Sequence, residues 1–372
     1  MTYRDEGIKK LGFGLMRLPM LGEEVDIEQT KQMVDLFLEK GFTYFDTAWS
    51  YINFKSEAAV KEALVDRHPR ERYRLATKLP AWLAATAEEA ENMFWTSLKR
   101  TGVDFFDFYL LHNLGADRTA AFEKFGMWDF LARQKKEGRI GHLGFSLHAT
   151  ADRLEEILEN HPEMEFVQLQ LNYSDWENGI VQSKKCYEVA RKYGKPVIVM
   201  EPVKGGYLAN LPESVAGILT QANPEASPAS WAIRYAASLE GVITVLSGMS
   251  TLDQMRDNLS YMENFQPLGE EELKTLEKAQ EALAGIPQVP CTDCKYCMKD
   301  CPQNIAIPGI FKSMNDYLIY RDLTRAKGSY GWETRTLGKA STCIKCGQCE
   351  TVCPQNIPIM EELGKTAEVL EV

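Results

Sequence analysis

The sequence has no long apolar run, no export signal and no basic stripe. None of its 372 residues falls in an uninterrupted apolar stretch of about 18, the length that a membrane-spanning helix needs. The start, MTYRDEGIKKLGFG, has neither the apolar segment nor the small-residue cleavage site of a signal peptide. A net charge of -11 would repel a phosphate backbone or an anionic membrane. We therefore expect a cytoplasmic protein without nucleic-acid or membrane partners.

Cysteine is scarce before residue 290, where Cys186 stands alone. The other eight of the nine cysteines lie between residues 291 and 353. In a secreted chain they would predict disulfides, but in a reducing cytosol metal ligation is the better interpretation. We therefore predict a separate metal-binding module at the C-terminus, and we interpret Cys186 as a buried helix residue.

Short apolar runs alternate with helical patterns from residue 11 to residue 248. This alternation is typical of βαβ units and a parallel sheet. In the first helical pattern, Asp26 with Gln29 predicts a capped start and Gly41 predicts a stop. Eight units in roughly 250 residues favour a closed (β/α)8 TIM barrel over an open doubly wound sheet. The eight runs span residues 11–15, 44–48, 74–78, 108–112, 142–146, 167–172, 197–202 and 242–248.

The barrel pattern ends with a charged helical segment at residues 269–283. Gly285, Pro287 and Pro290 follow it, and a helix would not span these residues. We therefore place the domain boundary near Gly285, with a barrel domain over residues 1–285.

One cysteine motif, C-x2-C-x2-C-x3-C followed by Pro, occurs twice after this boundary. Its members are Cys291, Cys294, Cys297 and Cys301, then Cys343, Cys346, Cys349 and Cys353. The motif resembles the bacterial two-cluster ferredoxin run and predicts two 4Fe-4S clusters. Zinc is the weaker alternative, because a zinc site needs only two close pairs of cysteines.

The ferredoxin resemblance also implies how the cysteines are shared. The fourth cysteine of each motif would cross to the other cluster, so that Cys353 joins the first three cysteines of the first motif and Cys301 joins those of the second. The 41 residues between Cys301 and Cys343 exceed the separation in compact ferredoxins. We predict an α-rich, ferredoxin-like domain over residues 286–372, with a helical insert at 305–342 that packs on the barrel or forms a partner surface.

Four residues with acid–base chemistry lie at the ends of the second, third and fourth runs or just after them. Asp46, Lys78 and His112 lie at or near the strand ends, and Tyr51 lies in the loop after the second strand. Active sites of TIM barrels lie at the C-terminal strand ends, so we expect these side chains to converge. Each one alone is explained as well by packing or by a structural ion pair, whereas their joint placement favours a functional site.

The four residues suit reduction of a carbonyl, in which hydride adds to carbon and an acid protonates oxygen. We expect Tyr51 to be the proton donor. Because a free phenol has a pKa of about 10, we expect the Lys78 ammonium to lower it. Asp46 would pair with Lys78 and keep it protonated, and His112 would hydrogen-bond the substrate oxygen.

Five segments resemble aldo/keto reductases, in the order and spacing of that family: FDTAWSY (45–51), LATK (75–78), SLKRTGVDFFDFYLLH (97–112), EGRIGHLGFS (137–146) and QLNYS (170–174). The resemblance covers about residues 8–284. It implies that Asp46, Tyr51, Lys78 and His112 are the family's catalytic tetrad. Relatives that reduce a steroid enone have Glu in place of His112, so a small-molecule carbonyl or alcohol substrate is implied here.

The same resemblance implies NADP or NAD bound in an extended form across the barrel end. The barrel has no G-x-G-x-x-G that opens a helix, so Rossmann-type binding is not indicated. Leu147 and Thr251 depart from the family, which often has Asn and a basic residue there, so NADPH preference is not implied. The implied contacts are Ser146 and Gln170 at the carboxamide, Met200 beneath the nicotinamide, and Gly248, Ser250, Gln254 and Asn258 at the adenosine end.

Three further residues have two interpretations each. Lys204 either contacts the pyrophosphate or is a solvated loop lysine. Trp49 and Trp82, next to the catalytic strand ends, either line a substrate pocket or pack at the barrel end.

Three functions remain open. The first is a nicotinamide-dependent carbonyl reductase or alcohol dehydrogenase fused to an iron-sulfur electron-transfer module. The second is an electron-transfer enzyme whose clusters exchange single electrons with a ferredoxin or another redox protein, with FMN in the phosphate site of the barrel. The third is a redox sensor with a degenerate barrel, which the intact tetrad disfavours.

Overall fold

The computed structural model describes residues 7–115, 118–179 and 181–372, without the side chain of Tyr320. Two compact units make up the chain, Met1–Pro202 with Ala229–Leu268 and Val203–Pro228 with Gly269–Val372. Residues 1–6, which belong to the N-terminal stretch MTYRDEGIKKLGFG, lie outside the described residues. Within the described ranges, no helix is long and apolar enough to cross a membrane.

The described residues form ten strands: β1 Leu11–Gly14, β2 Met20–Leu21, β3 Glu24–Val25, β4 Tyr44–Asp46, β5 Arg74–Leu79, β6 Phe106–Leu114, β7 Ile140–Leu147, β8 Phe166–Gln170, β9 Val197–Met200 and β10 Val242–Ser247. Eight of them close into a parallel barrel in chain order, in which β10 pairs with β1 and β1 with β4. The predicted (β/α)8 barrel is therefore confirmed. The antiparallel β2–β3 hairpin was not predicted.

Seventeen α-helices are formed by the described chain: α1 Ile27–Glu39, α2 Tyr51–Phe54, α3 Ser56–Val60, α4 Ala87–Thr101, α5 Arg118–Lys124, α6 Met127–Lys136, α7 Ala151–Asn160, α8 Ser183–Lys192, α9 Glu213–Ala222, α10 Pro228–Ser238, α11 Leu252–Met262, α12 Glu270–Ala284, α13 Tyr296–Lys299, α14 Ile307–Tyr320, α15 Leu323–Glu333, α16 Gln348–Thr351 and α17 Ile359–Leu370. The predicted cap of α1 is present, since Oδ1 of Asp26 accepts a hydrogen bond from the Gln29 amide at 3.0 Å. Gly41 follows that helix with a φ of 75°, where glycine is favoured.

Large apolar side chains fill the barrel. Each such side chain, when fully buried, stabilises the fold by about 1.5–3 kcal/mol. Because the interior is packed, polar groups with a chemical role are confined to the strand ends. The buried cluster, drawn from six strands, consists of Tyr44, Ala76, Phe108, Leu110, Phe166, Ile198, Ile243 and Leu246.

The second unit is built around α14, which packs on α15 and α17. Phe311, Tyr330 and Leu363 from these helices are buried together with apolar residues of the cysteine loops. The helices α14 and α15 occupy the predicted insert, and α12 packs on α9. Since residues 203–228 group with this unit, it is not a single stretch of chain. The boundary near Gly285 stays a prediction.

Candidate active site and candidate cluster sites

Neighbouring barrel strands bring Asp46 and Lys78 to the same end of the barrel. In the strand register Asp46 pairs with Ala76, and Lys78 pairs with Leu110, two residues before His112. The chain after β4 stays attached to β5, because the amide of Trp49 donates to the carbonyl of Lys78 at 3.3 Å. The sheet thus positions groups that are far apart in sequence.

Asp46 and Lys78 form a buried ion pair. Their side chains are only 2% and 1% exposed, and Nζ of Lys78 donates to Oδ1 of Asp46 and, at 2.7 Å, to the carbonyl of Thr47. Burial raises the pKa of Asp46 and lowers the pKa of Lys78, while the contact between the two groups opposes both shifts. A buried pair of this kind adds little stability of its own, but it is costly to break.

Tyr51 lies beside this pair and beside His112. Its ring centroid is 5.0 Å from Nζ of Lys78 and 5.8 Å from the His112 ring, which it meets edge to face. Burial raises the pKa of Tyr51 well above its ordinary value, the carboxylates of Asp46 and Glu201 raise it further, and Arg17 opposes them.

The expectation that Lys78 lowers the pKa of Tyr51 is therefore wrong for this structure. The ammonium lies over the face of the phenol ring, and its charge is matched by the carboxylate of Asp46. The phenol consequently keeps its proton at neutral pH.

His112 is an uncharged imidazole at the same place. Burial lowers its pKa well below the ordinary value, and the charges of Lys78 and Arg118, with a smaller effect of His148, lower it further. Its Nδ1 atom is buried without a hydrogen-bond partner among the described residues. A neutral imidazole can donate one hydrogen bond to an oxygen, and the tautomer depends on that partner.

The two tryptophans differ in their surroundings. The ring of Trp82 lies 5.4 Å from the ring of His112, and the guanidinium of Arg118 lies over Trp82 at 5.0 Å. The Trp49 ring instead contacts Phe54 at 5.0 Å, and Arg100 lies over it at 4.7 Å. Trp82 thus lies beside the tetrad, while Trp49 is fixed by groups outside it.

Two charged or titratable neighbours of His112, Arg118 and His148, were not predicted from the sequence. Burial lowers the pKa of His148 to about 3, and Arg118 contributes to that shift. Both residues follow barrel strands that carry predicted site residues, so position after a strand end was the available signal.

The predicted carboxamide contacts are buried at the ends of β7 and β8. The hydroxyl of Ser146 accepts a hydrogen bond from the Asn113 amide at 2.7 Å and keeps its own proton to donate. Gln170 donates to Asp175 at 3.0 Å. Asn113, which the sequence did not suggest, has a φ of 55°, and its Nδ2 atom is buried without a hydrogen-bond partner within the described chain. Met200 ends β9 and is half-buried.

The predicted adenosine contacts follow β10. The side chain of Gln254 accepts from the amide of Ser250 at 2.7 Å, and Oδ1 of the buried Asn258 accepts from Ser247 at 2.6 Å. Gly248 immediately follows Ser247 in this loop. These bonds fix the loop after the last strand, where TIM barrels commonly bind phosphate groups.

Lys204 belongs to the second compact unit. It lies in the segment 203–228, which belongs to the second unit, and it has a φ of 48°. In that unit the next residue, Gly205, lies so close to Thr292 that a Cβ at this position would be 2.6 Å from the Thr292 carbonyl oxygen. The loop therefore requires glycine at position 205, where it packs against Thr292, the residue that follows Cys291.

The eight cysteines of the second unit surround two hollows of about 310 Å³ each, both open to solvent. Within the described residues, no three side chains of His, Cys, Asp or Glu are placed to bind a single metal ion. A cubane cluster is bound at four separate irons, so its cysteines surround a space and do not meet at one point. One hollow is lined by Cys291, Cys294, Cys297 and Cys353, and the other by Cys301, Cys343, Cys346 and Cys349.

The two hollows are built by matching backbone. In each motif a short helix, α13 or α16, begins just before the third cysteine, so that Cys297 and Cys349 are both buried. Asp293 and Lys345, which occupy corresponding positions, both have φ near 55°, at 54° and 56°. Cys186 lies elsewhere, buried in α8, where burial raises its thiol pKa to about 12.

The chain matches known families in two regions. A family model described as the aldo/keto reductase family matches residues 10–281, and a model described as a 4Fe-4S dicluster domain matches residues 290–357. An uncharacterized oxidoreductase of Bacillus subtilis (strain 168), YqkF, is 25% identical over 304 residues, which cover 73% of this chain and 93% of that protein. Methylglyoxal reductase YeaE of Escherichia coli (strain K12) is 28% identical, over 73% of this chain and 94% of that protein.

Solved structures show the same fold. The holo form of aldo-keto reductase AKR11C1 from Bacillus halodurans superposes with a TM-score of 0.60 at 24% identity, over 73% of this chain and 92% of that one. An aldo-keto reductase from Klebsiella pneumoniae in complex with NADPH gives 0.57 at 20% identity, over 73% and 90%.

Proposed function

The chain belongs to the aldo/keto reductase family, and we propose that it reduces the carbonyl group of a small molecule, or oxidises the corresponding alcohol, with NADP or NAD. One observation carries the proposal: Tyr51, His112 and the Asp46–Lys78 pair lie together at the C-terminal end of the barrel. The named function of YeaE and the NADPH bound to the Klebsiella pneumoniae protein agree with it.

The nicotinamide supplies or accepts a hydride when it is bound. Tyr51 keeps its proton because its pKa is raised, and it passes that proton to the carbonyl oxygen as negative charge develops there. His112 is neutral and donates a hydrogen bond to the same oxygen. The Asp46–Lys78 pair fixes the face of the phenol ring, since Nζ of Lys78 lies over it. Trp82 lines the apolar side of the substrate pocket, next to His112.

Polar groups at the strand ends are suited to the nicotinamide carboxamide. Ser146 has a hydroxyl proton to donate, and the buried Nδ2 of Asn113 would donate to the carboxamide oxygen. Asn113 thus supplies the amide that many relatives carry at the position of Leu147. Gln254 and Asn258 would hold the adenosine end through the loop after β10.

The second unit would bind two 4Fe-4S clusters with crossed ligation, because each hollow is lined by three cysteines of one motif and the fourth of the other. Each cluster would exchange one electron when bound. Anaerobically purified protein should contain about eight irons and eight sulfides per chain. About four of each would contradict the proposal of two clusters.

The function of the barrel is tested by an assay of the whole protein with NADPH and NADH against methylglyoxal and a set of aromatic and aliphatic aldehydes. We expect nicotinamide oxidation that depends on the aldehyde and yields one alcohol per nicotinamide. Tyr187→Phe, which removes a hydroxyl that donates to Glu240 at 2.8 Å, serves as a matched control for Tyr51→Phe. Failure of every aldehyde with both cofactors would overturn the proposal.

A one-electron relay is the second candidate function, and the exposure of Cys346 favours it. In this role the second unit would pass single electrons between a redox protein and a flavin in the barrel. Flavin absorbance in purified protein, together with cluster reduction by NADPH, would support this candidate over plain carbonyl reduction.

A further inference from the structure

The two cysteine motifs have different charges around them. Residues 335–347 contain Arg335, Lys339 and Lys345 and no acidic residue, in a chain whose net charge is -11. The corresponding stretch around the first motif, residues 283–295, has one basic residue, Lys295, and one acidic residue, Asp293. Basic residues are therefore more numerous at the second motif than at the first, and one carboxylate, that of Glu371, accepts a hydrogen bond from the Ser341 amide in this stretch at 3.0 Å.

Backbone contacts place this basic stretch at the edge of the second hollow. A single turn of 3-10 helix, Ala340–Thr342, connects Lys339 to Cys343, and the Cys343 amide donates to the carbonyl of Ala340 at 3.2 Å. Gly338 pairs with Ile305, which lines the same hollow. The position of Lys339 is thus fixed relative to the hollow.

The same hollow also reaches the surface. Cys346 is exposed, whereas the cysteines of the other hollow are buried or half-buried. Ile344, between two of the cysteines, is 59% exposed, and Arg335, Lys339 and Lys345 of the same stretch are exposed as well. An exposed apolar side chain within a polar, charged rim is the usual composition of a protein interface.

We infer that residues 335–347 form a docking face for an acidic, one-electron carrier protein of the ferredoxin class. The inference rests on the proposed presence of clusters in the second unit. Complementary charge selects the partner and accelerates the encounter, because the rest of this acidic chain repels an acidic protein. At each encounter one electron leaves the reduced carrier and one enters the second unit, and no bond or proton changes place.

A second copy of this chain is the main alternative occupant, since the chain itself is acidic. Charge alone would permit that pairing. The oligomeric state of the variants described next decides between the two occupants. If the variants lose carrier binding and keep their oligomeric state, the occupant is the carrier; if the oligomeric state changes, the occupant is a second copy.

The test uses the reconstituted full chain and a reduced, acidic plant-type [2Fe-2S] ferredoxin, mixed anaerobically by stopped flow. Lys339→Glu/Lys345→Glu should slow the second-order electron transfer about ten-fold or more at low salt and reverse its dependence on salt. Arg335→Glu/Lys339→Glu should do the same without altering the cysteine motif. Lys295→Glu/Lys299→Glu, the matched control at the other motif, should change the rate less than about three-fold.

Two further measurements separate the possible failures. Dithionite should bleach the absorbance of every variant equally, and failure of the unmodified protein to bleach would contradict the clusters and not the docking face. Titration calorimetry with oxidised ferredoxin should show weaker binding for the Lys339→Glu variants alone. Equal effects of the two charge-reversal sets, or a change of oligomeric state in place of carrier binding, would overturn the inference.

Discussion

The barrel site and the cluster sites are assembled in opposite ways. The barrel site takes Asp46, Lys78 and His112 from three strands. Each of these residues is more than thirty positions from the next in sequence, and parallel pairing brings them together. Each candidate cluster site takes three of its cysteines from one motif. The fourth comes from the other motif, Cys353 for the first site and Cys301 for the second. A site built from the sheet depends on the fold, whereas a site built from a motif depends mainly on local spacing.

The sites differ in electrostatics as well. The barrel site buries a charged pair and an uncharged imidazole. The second hollow instead opens to solvent beside exposed lysines. The barrel site is therefore suited to chemistry away from water, whereas exchange with another macromolecule at the second unit stays a proposal.

The largest expected effect is that of Tyr51→Phe on the barrel site. Because the proton donor is lost and the cofactor contacts remain, kcat for carbonyl reduction should fall about 10²-fold or more while binding of NADPH stays nearly unchanged. Steady-state kinetics and fluorescence titration check both expectations. Turnover equal to that of the Tyr187→Phe control would remove Tyr51 from the proton-donor role.

Lys78→Met should destabilise the barrel, because it leaves the Asp46 carboxyl buried without its partner. The free energy of unfolding should fall by about 3–5 kcal/mol, as for other broken buried pairs. Asp46→Asn combined with Lys78→Met should recover part of that loss. Urea unfolding measures both variants, and a neutral effect of the single change would show that the pair is not buried as described.

The two units differ in how much of their structure could be predicted from the sequence. All eight barrel strands were predicted, because each is a short apolar run between helical patterns, and such a run indicates a strand that is buried in a parallel sheet. The cysteines that line each hollow agree with the crossed sharing that the ferredoxin resemblance implied, and their role as cluster ligands stays a prediction. The β2–β3 hairpin was missed because strands of two residues carry no periodicity.

The direction of the Tyr51 pKa could not be predicted, because it depends on groups that only the fold brings together. The sequence suggested an ammonium next to the phenol, but the charge is already matched by Asp46, and burial dominates. The amide of Asn113 was missed for the same kind of reason, since its backbone conformation and unpartnered Nδ2 are properties of the folded chain.

Cys353→Ala tests the crossed sharing of cysteines and should halve the iron content. The lost paramagnetic signal should match that lost in Cys291→Ala, because both residues line the same hollow. Cys343→Ala should remove the other signal. Grouping of Cys353 with Cys343 would show that each motif binds its own cluster.

The smallest expected effect is the pH dependence that His148 adds to the stability of the barrel. Its pKa is lowered to about 3 by burial, so the unfolded chain takes up a proton below about 6.5 while the folded chain resists it. The free energy of unfolding should therefore fall as the pH drops from about 6.5 toward 3. Between pH 7 and pH 5 this fall should be smaller by about 2 kcal/mol in His148→Gln than in the unmodified protein. Urea unfolding at the two pH values checks this, with His68→Gln as the control for replacing a histidine. An unchanged pH dependence in His148→Gln would contradict it.

The central claim is that the barrel transfers two electrons at once, independently of the second unit. Its most direct test is anaerobic mixing of flavin-free protein with NADPH and a good aldehyde, while nicotinamide and cluster absorbance are followed together. We predict that nicotinamide and aldehyde are consumed one for one while the cluster absorbance stays constant, because nicotinamide donates hydride and resists single-electron steps. Bleaching of the cluster absorbance within one turnover time would contradict the claim.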